Sequence, residues 1–231
     1  MLISIIIRNY NSAGKLKFAI ETALSQTHRD KEILVYDDKS TDGSEKLVEG
    51  YSVRFIQGEK NKGCAEAFNI LLDNLKGEYF IPLDADDMFY SDKVVKTLAE
   101  NIGDNDFIYG DLMLFREGEM IGQWLYPEYS IEEIPHLIYQ RKGSGIIPFN
   151  HGLHRTEFWR KNNLRMELEV GEDTLACIKA CEYNIKMIHI PGFIKLYNYG
   201  NGISVSAKRE ENLAKIIEYL EKTLDNKVNI N

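Results

Sequence analysis

The chain lacks the features that would place it across a membrane or on a nucleic acid. No apolar run in its 231 residues approaches the roughly 20 residues that a membrane-spanning helix needs. Residues 1–7 are apolar, but they are too few for a signal peptide and no basic segment precedes them. Lysine and arginine number 28 against 36 acids, and this net charge of −8 argues against nucleic acid as the main partner.

Cysteine is also scarce. The three cysteines are Cys64, Cys177 and Cys181, and their spacing matches no metal-binding pattern. Cys177 and Cys181 are one helical turn apart, which favours reduced residues on the buried side of a helix. With no disulfide framework, a cytoplasmic location is the default expectation. The hydrophobic fraction of 44% is enough for a sizeable core in one large α/β domain or two small ones.

Over its first hundred residues the sequence alternates regularly between strand and helix patterns. Short apolar runs predict strands at 2–7, 33–36, 53–56 and 79–83. Apolar residues at helical spacing predict helices at 14–26, from 44 onward, at 64–74 and at 93–101. This repeated strand-then-helix order predicts a parallel, doubly wound sheet of the α/β class.

The pattern changes after Asp106. Strands are predicted at 107–115, 120–124, 151–154, 186–190 and 194–199, and helices near 130–139 and at 172–183. The rest of residues 126–150 is irregular, as in a mobile active-site segment. The end of the chain has one apolar stripe, which predicts an amphipathic helix that packs on the domain or binds a partner or membrane surface. The stripe consists of Leu213, Ile216, Ile217, Leu220 and Leu224.

The chemically most informative segment is 81–88, where an apolar strand ends in Asp84, Asp86 and Asp87. Carboxylates at the end of a strand lie on the rim of a sheet, where α/β folds bind ligands. Acids this close repel one another unless a cation lies between them, and such a cation commonly shares its shell with substrate phosphates. The segment therefore indicates metal-assisted chemistry on a phosphorylated or nucleotide-linked substrate. The alternative is an ordinary strand end, with Asp86 or Asp87 capping a helix near Ser91.

Short motifs follow one another along the whole chain. They are ISIIIRNYN at 3–11, ALSQT at 23–27, EILVYDDKSTDGS at 32–44, NKG at 61–63, AFN at 67–69, GEY at 77–79, DADD at 84–87, GLHR at 152–155 and EDTL at 172–175. In their order and spacing they resemble the family 2 glycosyltransferases of the GT-A fold. The resemblance covers roughly residues 1–205. Each motif is weak alone, and the set is specific.

The resemblance implies a nucleotide-diphospho-sugar transferase fold of the α/β class. Its central sheet would be Rossmann-like, mostly parallel and flanked by helices, with a smaller mixed sheet on the acceptor side and a C-terminal helix. One domain would span residues 1–205, with a nucleotide-sugar half at 1–111 and an acceptor half at 112–205. Residues 206–231 would form the amphipathic C-terminal helix.

The resemblance also implies a set of donor-site residues. Tyr10 would stack on the nucleobase, and Asp38 would accept a hydrogen bond from a ring N–H, which suits uracil. Lys62 would offset the charge of the diphosphate, and Gly63 would allow the backbone to approach it closely. Ordinary alternatives are a core tyrosine at 10, a helix-capping aspartate at 38 and an exposed lysine at 62.

By the same resemblance, residues 84–86 are the DXD element of the family. Asp86 would bind Mn²⁺ or Mg²⁺, which in turn holds both phosphates, and Asp84 would face the ribose or the donor sugar. The cation would neutralise charge on the leaving nucleoside diphosphate. Asp87 would then cap the following helix.

Inverting transfer needs a base that takes the proton of the acceptor hydroxyl. The resemblance points to Asp173, and its place in the first turn of a helix favours the ionised form. Glu172 would orient the acceptor or cap the helix, unless both are ordinary first-turn acids. His151 and His154 lie near the presumed acceptor side, where neutral structural histidines are expected.

Two positions depart from the family pattern. Arg8 stands where Pro or Thr is more common, and its charge could bind phosphate or point away. Lys39 replaces a common Gly in the turn after Asp38, which disfavours a left-handed backbone there. Both departures weaken the inference about which nucleotide the donor contains.

The implied function is inverting, metal-dependent transfer of a sugar from a nucleoside diphosphate, with UDP favoured, to a hydroxyl of a saccharide or glycoconjugate. Such enzymes often build surface polysaccharide or lipid-linked glycans, so peripheral contact with the inner membrane face is expected. Three alternatives remain, namely transfer to a polyprenyl phosphate, nucleotidyl transfer to a sugar phosphate, and an inactive binding module. The first would not need Asp173 as a strong base. The second typically needs a Gly-rich loop with Arg and Lys, which residues 8–14 lack.

Overall fold

The structure is a computed structural model that describes residues 1–140, 149–168, 171–199 and 208–228. The first half contains β1 (Ile3–Asn9), α1 (Ala13–Leu24), β2 (Lys31–Asp37), α2 (Ser44–Val48), β3 (Arg54–Gln57), α3 (Cys64–Asn74), β4 (Tyr79–Asp84), β5 (Met88–Phe89) and α4 (Val94–Asn101). The second half contains β6 (Phe107–Arg116), β7 (Glu119–Trp124), α5 (Glu133–Gln140), β8 (Leu153–Arg155), α6 (Thr156–Lys161), α7 (Glu172–Glu182), β9 (Met187–Asn198) and α8 (Lys208–Val228). The irregular connection expected at 126–150 is described only in part, because residues 141–148 lie outside these ranges.

Within the described residues, nine strands form one sheet in the order β3-β2-β1-β4-β8-β6-β9-β5, with β7 paired to β6. Strands β3, β2, β1 and β4 are parallel, as the strand-then-helix pattern predicts. Strand β8 is antiparallel to both β4 and β6, and it connects the parallel half to the mixed half. The mixed strands therefore extend the central sheet, where the sequence suggested a separate smaller one.

The core lies between this sheet and the helices that cover it. Ile3, Ile5, Ile6 and Ile7 of β1 are all buried, which explains why this strand is a continuous apolar run and has no alternation. Helix α1 buries the apolar positions at helical spacing, Leu16, Ala19, Ile20 and Ala23. Cys177 and Cys181 are buried in α7 and form no disulfide, as expected.

Strand β9 is longer than the sequence indicates. Strands were expected at 186–190 and 194–199, with a break at Pro191 and Gly192. The structure has one strand, and its pairing with β6 shifts register around Asp111. The Asp111 carboxylate accepts a hydrogen bond from the Gly192 N–H at 3.1 Å, and Gly192 has a φ of +128°. Pro191 and Gly192 therefore remain part of the strand, because the Asp111 side chain accepts the Gly192 N–H that does not pair in the sheet.

The C-terminal helix α8 packs on the domain. Ile216 and Leu220 are buried, and the Tyr219 hydroxyl donates to Glu182 of α7 at 2.7 Å. The apolar stripe was expected either to pack on the domain or to bind a partner or membrane surface, and in the structure it packs on the domain. No helix within residues 1–140, 149–168, 171–199 and 208–228 is long and apolar enough to cross a membrane.

Candidate active site

The carboxyl ends of β1, β2 and β4 bring the first group of site residues to one edge of the sheet. Arg8 and Asp84 are register partners on β1 and β4, and Asn9 is paired with Asp37 on β2. Because these strands are parallel, their polar ends meet at the same rim. The Asn9 amide donates to Asp37 at 2.6 Å, which closes this rim between β1 and β2.

Arg8 connects two acidic segments that are far apart in the sequence. Its Nη2 and Nε lie 2.6 Å and 3.0 Å from Asp84 Oδ1, and its Nη1 lies 3.2 Å from Glu172 Oε1. The guanidinium lies 5.8 Å from the centroid of the Phe68 ring, and the side chain is only 11% exposed. Burial opposes the charge, but Asp84 and Glu172 outweigh it and raise the pKa of Arg8. The sequence left open whether Arg8 binds phosphate or points away, and in the structure it forms an internal bridge.

Asp84 is held on both of its oxygens. Besides the bond from Arg8 to Oδ1, the Asn150 amide donates to Oδ2 at 3.1 Å. Burial acts to raise the pKa of this carboxyl, but Arg8 and Lys195 offset it and leave the pKa below its usual value. Asp84 is therefore a fixed anion on the rim.

Asp86 and Asp87 point in different directions. The Asp86 side chain is 39% exposed, with Lys15 Nζ at 3.6 Å and Asn198 Nδ2 at 3.2 Å from its Oδ2. Asp87 is buried, and its Oδ1 accepts the Asn198 N–H of β9 at 2.9 Å. The expectation that Asp87 caps the next helix is wrong. Helix α4 begins only at Val94, and the turn at 84–87 directs Asp87 inward against β9.

A buried lysine lies behind these acids. Lys195 of β9 is fully buried, with its Nζ 3.0 Å from His151 Nδ1 and 3.3 Å from the Asn150 carbonyl oxygen. Burial lowers the pKa of Lys195 to about 8, although Asp87 and Asp84 act in the opposite direction. The sequence does contain a signal for this residue, namely a lysine between Ile194 and Leu196 in an apolar strand. A lysine that is buried there needs a polar or charged partner, so its position indicates a polar site.

Both histidines near this lysine are neutral, as expected. Burial and the charge of Lys195 place the pKa of His151 well below its usual value, so its Nδ1 accepts from the Lys195 ammonium. Burial lowers the pKa of His154 to about 3. His154 donates to the Phe149 carbonyl at 2.8 Å and accepts from the Trp159 indole at 3.3 Å.

Glu172 and Asp173 begin α7 directly after Gly171, which has a φ of +75°. Burial, with a contribution from Asp173, raises the pKa of Glu172 to about 7. Burial also raises the pKa of Asp173, although the Thr174 N–H donates to its carboxylate at 2.8 Å. A helix N-terminus favours the ionised form, and at this site burial is the larger effect.

The loop at 62–63 is fastened to β2 by Asp38. This carboxylate is 3% exposed and accepts from the Lys62 N–H at 2.9 Å and the Gly63 N–H at 2.8 Å. Gly63 has a φ of +87° at the start of α3. The Lys62 side chain is partly exposed and lies 3.6 Å from Glu66. Asp38 thus has a structural role beside the base-binding role that the resemblance implies.

The turn after Asp38 is left-handed, contrary to the expectation from the sequence. Lys39 has a φ of +66°. Asp37 compensates for this conformation, because its carboxylate accepts both the N–H of Ser40 at 2.9 Å and the Ser40 hydroxyl. A left-handed residue other than glycine costs roughly 1–2 kcal/mol, which bonds of this kind can offset.

The site residues that were named from the sequence fall into two groups in the structure. The donor-side group is Tyr10, Asp38, Lys62 and Gly63, and the Tyr10 side chain is 51% exposed at the rim. The carboxylate group is Asp84, Asp86, Glu172 and Asp173. Sequence motifs did not indicate Asn150, Lys195, Tyr197 and Asn198, which reach the site from the acceptor half.

The residues present fit a cation shared with a ligand better than a cation held by protein alone. Among the described residues, no three His, Cys, Asp or Glu side chains form a metal cage. Asp86 has a part-exposed carboxylate at the rim, and burial and Asp84 raise its pKa. Mn²⁺ and Mg²⁺ are hard cations, and Mg²⁺ is typically bound by one or two carboxylates with water and substrate phosphates. A single part-exposed carboxylate, that of Asp86, fits a cation of this kind.

A family model described as "Glycosyl transferase family 2" matches residues 4–158. The chain belongs to this family. The match includes β1 to β4, the DADD segment and β8. The resemblance noted from the sequence motifs is therefore confirmed.

Curated family 2 relatives are similar over part of their length. The chain is 32% identical over 154 residues to an uncharacterized glycosyltransferase of Rickettsia typhi, covering 66% of this chain and 47% of that one. It is 30% identical over 188 residues to a cholesterol galactosyltransferase of Borreliella burgdorferi, with 74% and 52% covered. It is 29% identical over 131 residues to the Escherichia coli UDP-Glc:alpha-D-GlcNAc-diphosphoundecaprenol beta-1,3-glucosyltransferase WfgD, with 55% and 52% covered. The chain thus spans about half the length of these relatives.

Solved structures confirm the fold. Residues 1–349 of S. aureus TarS, crystallised with UDP-GlcNAc, match with a TM-score of 0.79 over 95% of this chain and 65% of that one, at 20% identity. The mannosyltransferase PcManGT from Pyrobaculum calidifontis, in complex with GDP-Man and Mn²⁺, matches with a TM-score of 0.65 over 87% of this chain and 58% of that one, at 14% identity. The GT-A fold expected from the sequence is the fold of this chain.

Proposed function

We propose that this protein transfers a sugar from a nucleoside diphosphate, most favourably UDP, to a hydroxyl group of a saccharide or glycoconjugate with inversion at the anomeric carbon. One observation carries the proposal. The Arg8 guanidinium joins Asp84, from the DXD-like segment, to Glu172, the neighbour of the candidate base. The segment proposed to bind the donor phosphates and the residue proposed as the base are thus close to the same arginine, which transfer would require.

The donor side supports a nucleotide ligand. Tyr10 has an exposed ring for stacking, and the amides of the 62–63 loop lie beside Asp38 at the start of α3. These two amides already donate to Asp38, so positive charge for the phosphates would come from the part-exposed Lys62 side chain next to the N-terminus of α3. The names of similar proteins include both UDP and GDP sugars. An acid at Asp38 suits a base with a ring N–H that can donate, and uracil is such a base.

Asp86 would hold Mn²⁺ or Mg²⁺. When bound, that cation supplies charge neutralisation for the leaving diphosphate. Lys15, 3.6 Å from Asp86, is placed to add positive charge near the same phosphates.

Asp173 would act as the base. The acceptor oxygen forms a bond to the anomeric carbon while the bond from that carbon to the diphosphate breaks, and the hydroxyl proton passes to the Asp173 carboxylate. A base is more effective when its pKa lies nearer to the working pH, and burial moves the pKa of Asp173 upward. Glu172 remains bound to Arg8, so its role is to hold the geometry at the start of α7.

The acceptor is proposed to be a sugar hydroxyl. The names of two relatives describe acceptors that carry hydroxyls, namely a GlcNAc on a diphosphate lipid and cholesterol. A phosphate acceptor needs no strong base, so transfer to a polyprenyl phosphate would leave Asp173 without a task.

The test measures release of UDP from UDP-glucose, UDP-galactose and UDP-N-acetylglucosamine, with Mn²⁺ or EDTA and with GlcNAc-diphosphate-lipid as acceptor. Asp173→Asn should reduce kcat about a hundredfold or more while donor affinity is unchanged. Asp86→Ala should lose the metal-dependent activity. The matched control Asp104→Asn changes an exposed acid in the turn after α4 and should behave as wild type.

Three results would contradict parts of this proposal. Full activity of Asp86→Ala in EDTA would remove the metal assignment. Loss of donor binding by Asp173→Asn would show that Asp173 serves the donor and is not the base. Undiminished transfer by Asp173→Asn to a polyprenyl phosphate would favour the alternative acceptor.

A further inference from the structure

We propose that three aromatic side chains next to the site, Trp124, Tyr197 and Tyr199, form a subsite that binds a sugar ring of the acceptor. We refer to these three residues as the aromatic platform. The inference rests on the proposed function, because it assigns the place where the acceptor saccharide lies.

The platform is a continuous ring surface that is open to solvent. The Trp124 ring lies 5.4 Å from the Tyr197 ring at an angle of 32°, and 5.6 Å from the Tyr199 ring at 78°. Trp124 is 37% exposed and Tyr199 is 43% exposed. Large exposed aromatic groups that pack on one another are characteristic of binding surfaces.

Strand register places the platform on the face of the sheet that carries the site. Leu112 of β6 is paired with Trp124 on β7 and with Lys195 on β9, so these side chains share one face. Tyr197 is two residues beyond Lys195 and therefore also lies on this face. Lys195 contacts His151, and the His151 ring lies 5.2 Å from the Tyr197 ring.

Tyr197 connects the platform to the carboxylates. Asn198, the next residue on β9, donates from its backbone N–H to Asp87 at 2.9 Å and from its side-chain amide to Asp86 at 3.2 Å. Burial, with Asp87 and other nearby acids, raises the pKa of the Tyr197 hydroxyl. The same tyrosine is in ring contact with Trp124. A sugar that rests on the platform would therefore lie beside the rim that carries Asp86.

Gly122 leaves room for a ligand beside the platform. It precedes Trp124 by two residues on β7 and is paired with Leu114, which is paired with Tyr197. A Cβ at Gly122 would meet only Leu114 Cδ1, at 3.7 Å, which is an ordinary contact. A side chain at position 122 would point to the same face of β7 as Trp124, because the two residues are two positions apart.

The chemistry of the surface favours a saccharide over a membrane. A pyranose has an apolar C–H face that can lie on an aromatic ring, and polar edges that can bond to tyrosine hydroxyls. Glu128 is exposed after β7, and the β6–β7 hairpin that carries Trp124 has exposed acids at Glu117 and Glu119. Its Arg116 is engaged with Tyr199, donating to the carbonyl at 3.0 Å. An anionic bilayer would be repelled by these acids, whereas a neutral sugar would not.

The test is saturation-transfer NMR on the full chain with methyl glycosides of β-glucose, β-galactose, β-N-acetylglucosamine and α-mannose. Wild type should transfer saturation to ring C–H protons of at least one glycoside. Trp124→Ala should reduce that transfer at least tenfold. Gly122→Val should do the same by occupying the open space, and valine suits a strand. The control Phe18→Ala removes a 50% exposed aromatic residue of α1 and should leave the transfer unchanged.

Two readouts make the result decisive. Emission from Trp159, which is buried, reports whether each variant is folded. The thermal shift with UDP and Mn²⁺ reports the donor site separately. Loss of glycoside binding in both variants with an intact UDP shift supports the platform.

The proposal is overturned if no glycoside receives saturation from wild type, or if Trp124→Ala binds as wild type does. It is also overturned if Trp124 is needed for sedimentation with phosphatidylglycerol vesicles and for no glycoside. An intact UDP shift in these cases leaves the proposed function standing. Absence of the UDP shift in wild type would instead contradict the proposed function itself.

Discussion

At the scale of single residues, the site is organised by two buried cations that each serve more than one carboxylate. Arg8 lies between Asp84 and Glu172, and Lys195 lies within range of Asp84 and Asp87. Buried charges are tolerated in proteins when they are paired and hydrogen-bonded. A change to either cation should therefore alter stability and activity together.

Glu172 should make stability depend on pH. Its pKa is about 7 in the folded state and 4.5 in a model peptide, so the folded protein binds the extra proton between these values. Stability from this group is complete below pH 4.5 and is lost as the pH rises to about 7, because the unfolded state then binds fewer protons. Melting temperatures of Glu172→Gln across pH 5 to 8 should fall less than those of wild type. The control Glu100→Gln, an exposed acid of α4, should follow wild type. Parallel curves for Glu172→Gln and wild type would contradict the raised pKa.

Lys195→Met should destabilise the fold by about 3–5 kcal/mol, because it removes the buried positive charge that favours the ionised forms of Asp87 and Asp84. Urea unfolding measures this loss. The double variant Lys195→Met/Asp87→Asn should recover part of it, since the amide needs no counter-charge. If the loss in the double variant equals the sum of the losses in Lys195→Met and in Asp87→Asn, Lys195 and Asp87 are not coupled.

At the scale of elements, hydrophobic periodicity predicts most strands and helices, because buried faces repeat every 2.0 or 3.6 residues. It fails where a tertiary contact decides the outcome. Strand β9 continues through Pro191 and Gly192 because Asp111 accepts the Gly192 N–H. The two residues of β5 are too few to give a pattern. Likewise, motifs predict the carboxylates of the site, but they do not predict which residue lies beside them, as with Lys195.

Substitutions in helix α8 measure how much the packing of one element contributes to the stability of the fold. Leu220 is fully buried in the core, so Leu220→Ala should lower the free energy of unfolding by about 2–5 kcal/mol. Leu213→Ala removes the same atoms from a half-buried position of the same helix and should cost less. Urea denaturation of both variants compares them directly. Equal losses, or none, would mean that α8 does not rest on the domain as described.

At the scale of the whole molecule, the two halves of the sheet meet at β8, and the site is built across that junction. The parallel half contributes Arg8, Asp38 and Asp84, and the mixed half contributes Lys195 and Tyr197. A ligand that contacts both halves should therefore stabilise the entire fold. Binding to the folded state alone raises the free energy of unfolding by mass action.

This stabilisation should identify the donor nucleotide. With Mn²⁺ present and UDP at about 100 times its Kd, the free energy of unfolding should rise by about 2.7 kcal/mol. For a chain of this size that corresponds to a rise in melting temperature of roughly 5–11 °C. CMP at the same concentration should give a smaller shift, because cytosine has no ring N–H to donate to Asp38. Thymine and guanine do have one, so the sizes of the dTDP and GDP shifts relative to that of UDP identify the base. A larger shift with GDP would reassign the donor. Equal shifts with and without Mn²⁺ would separate nucleotide binding from the metal at Asp86.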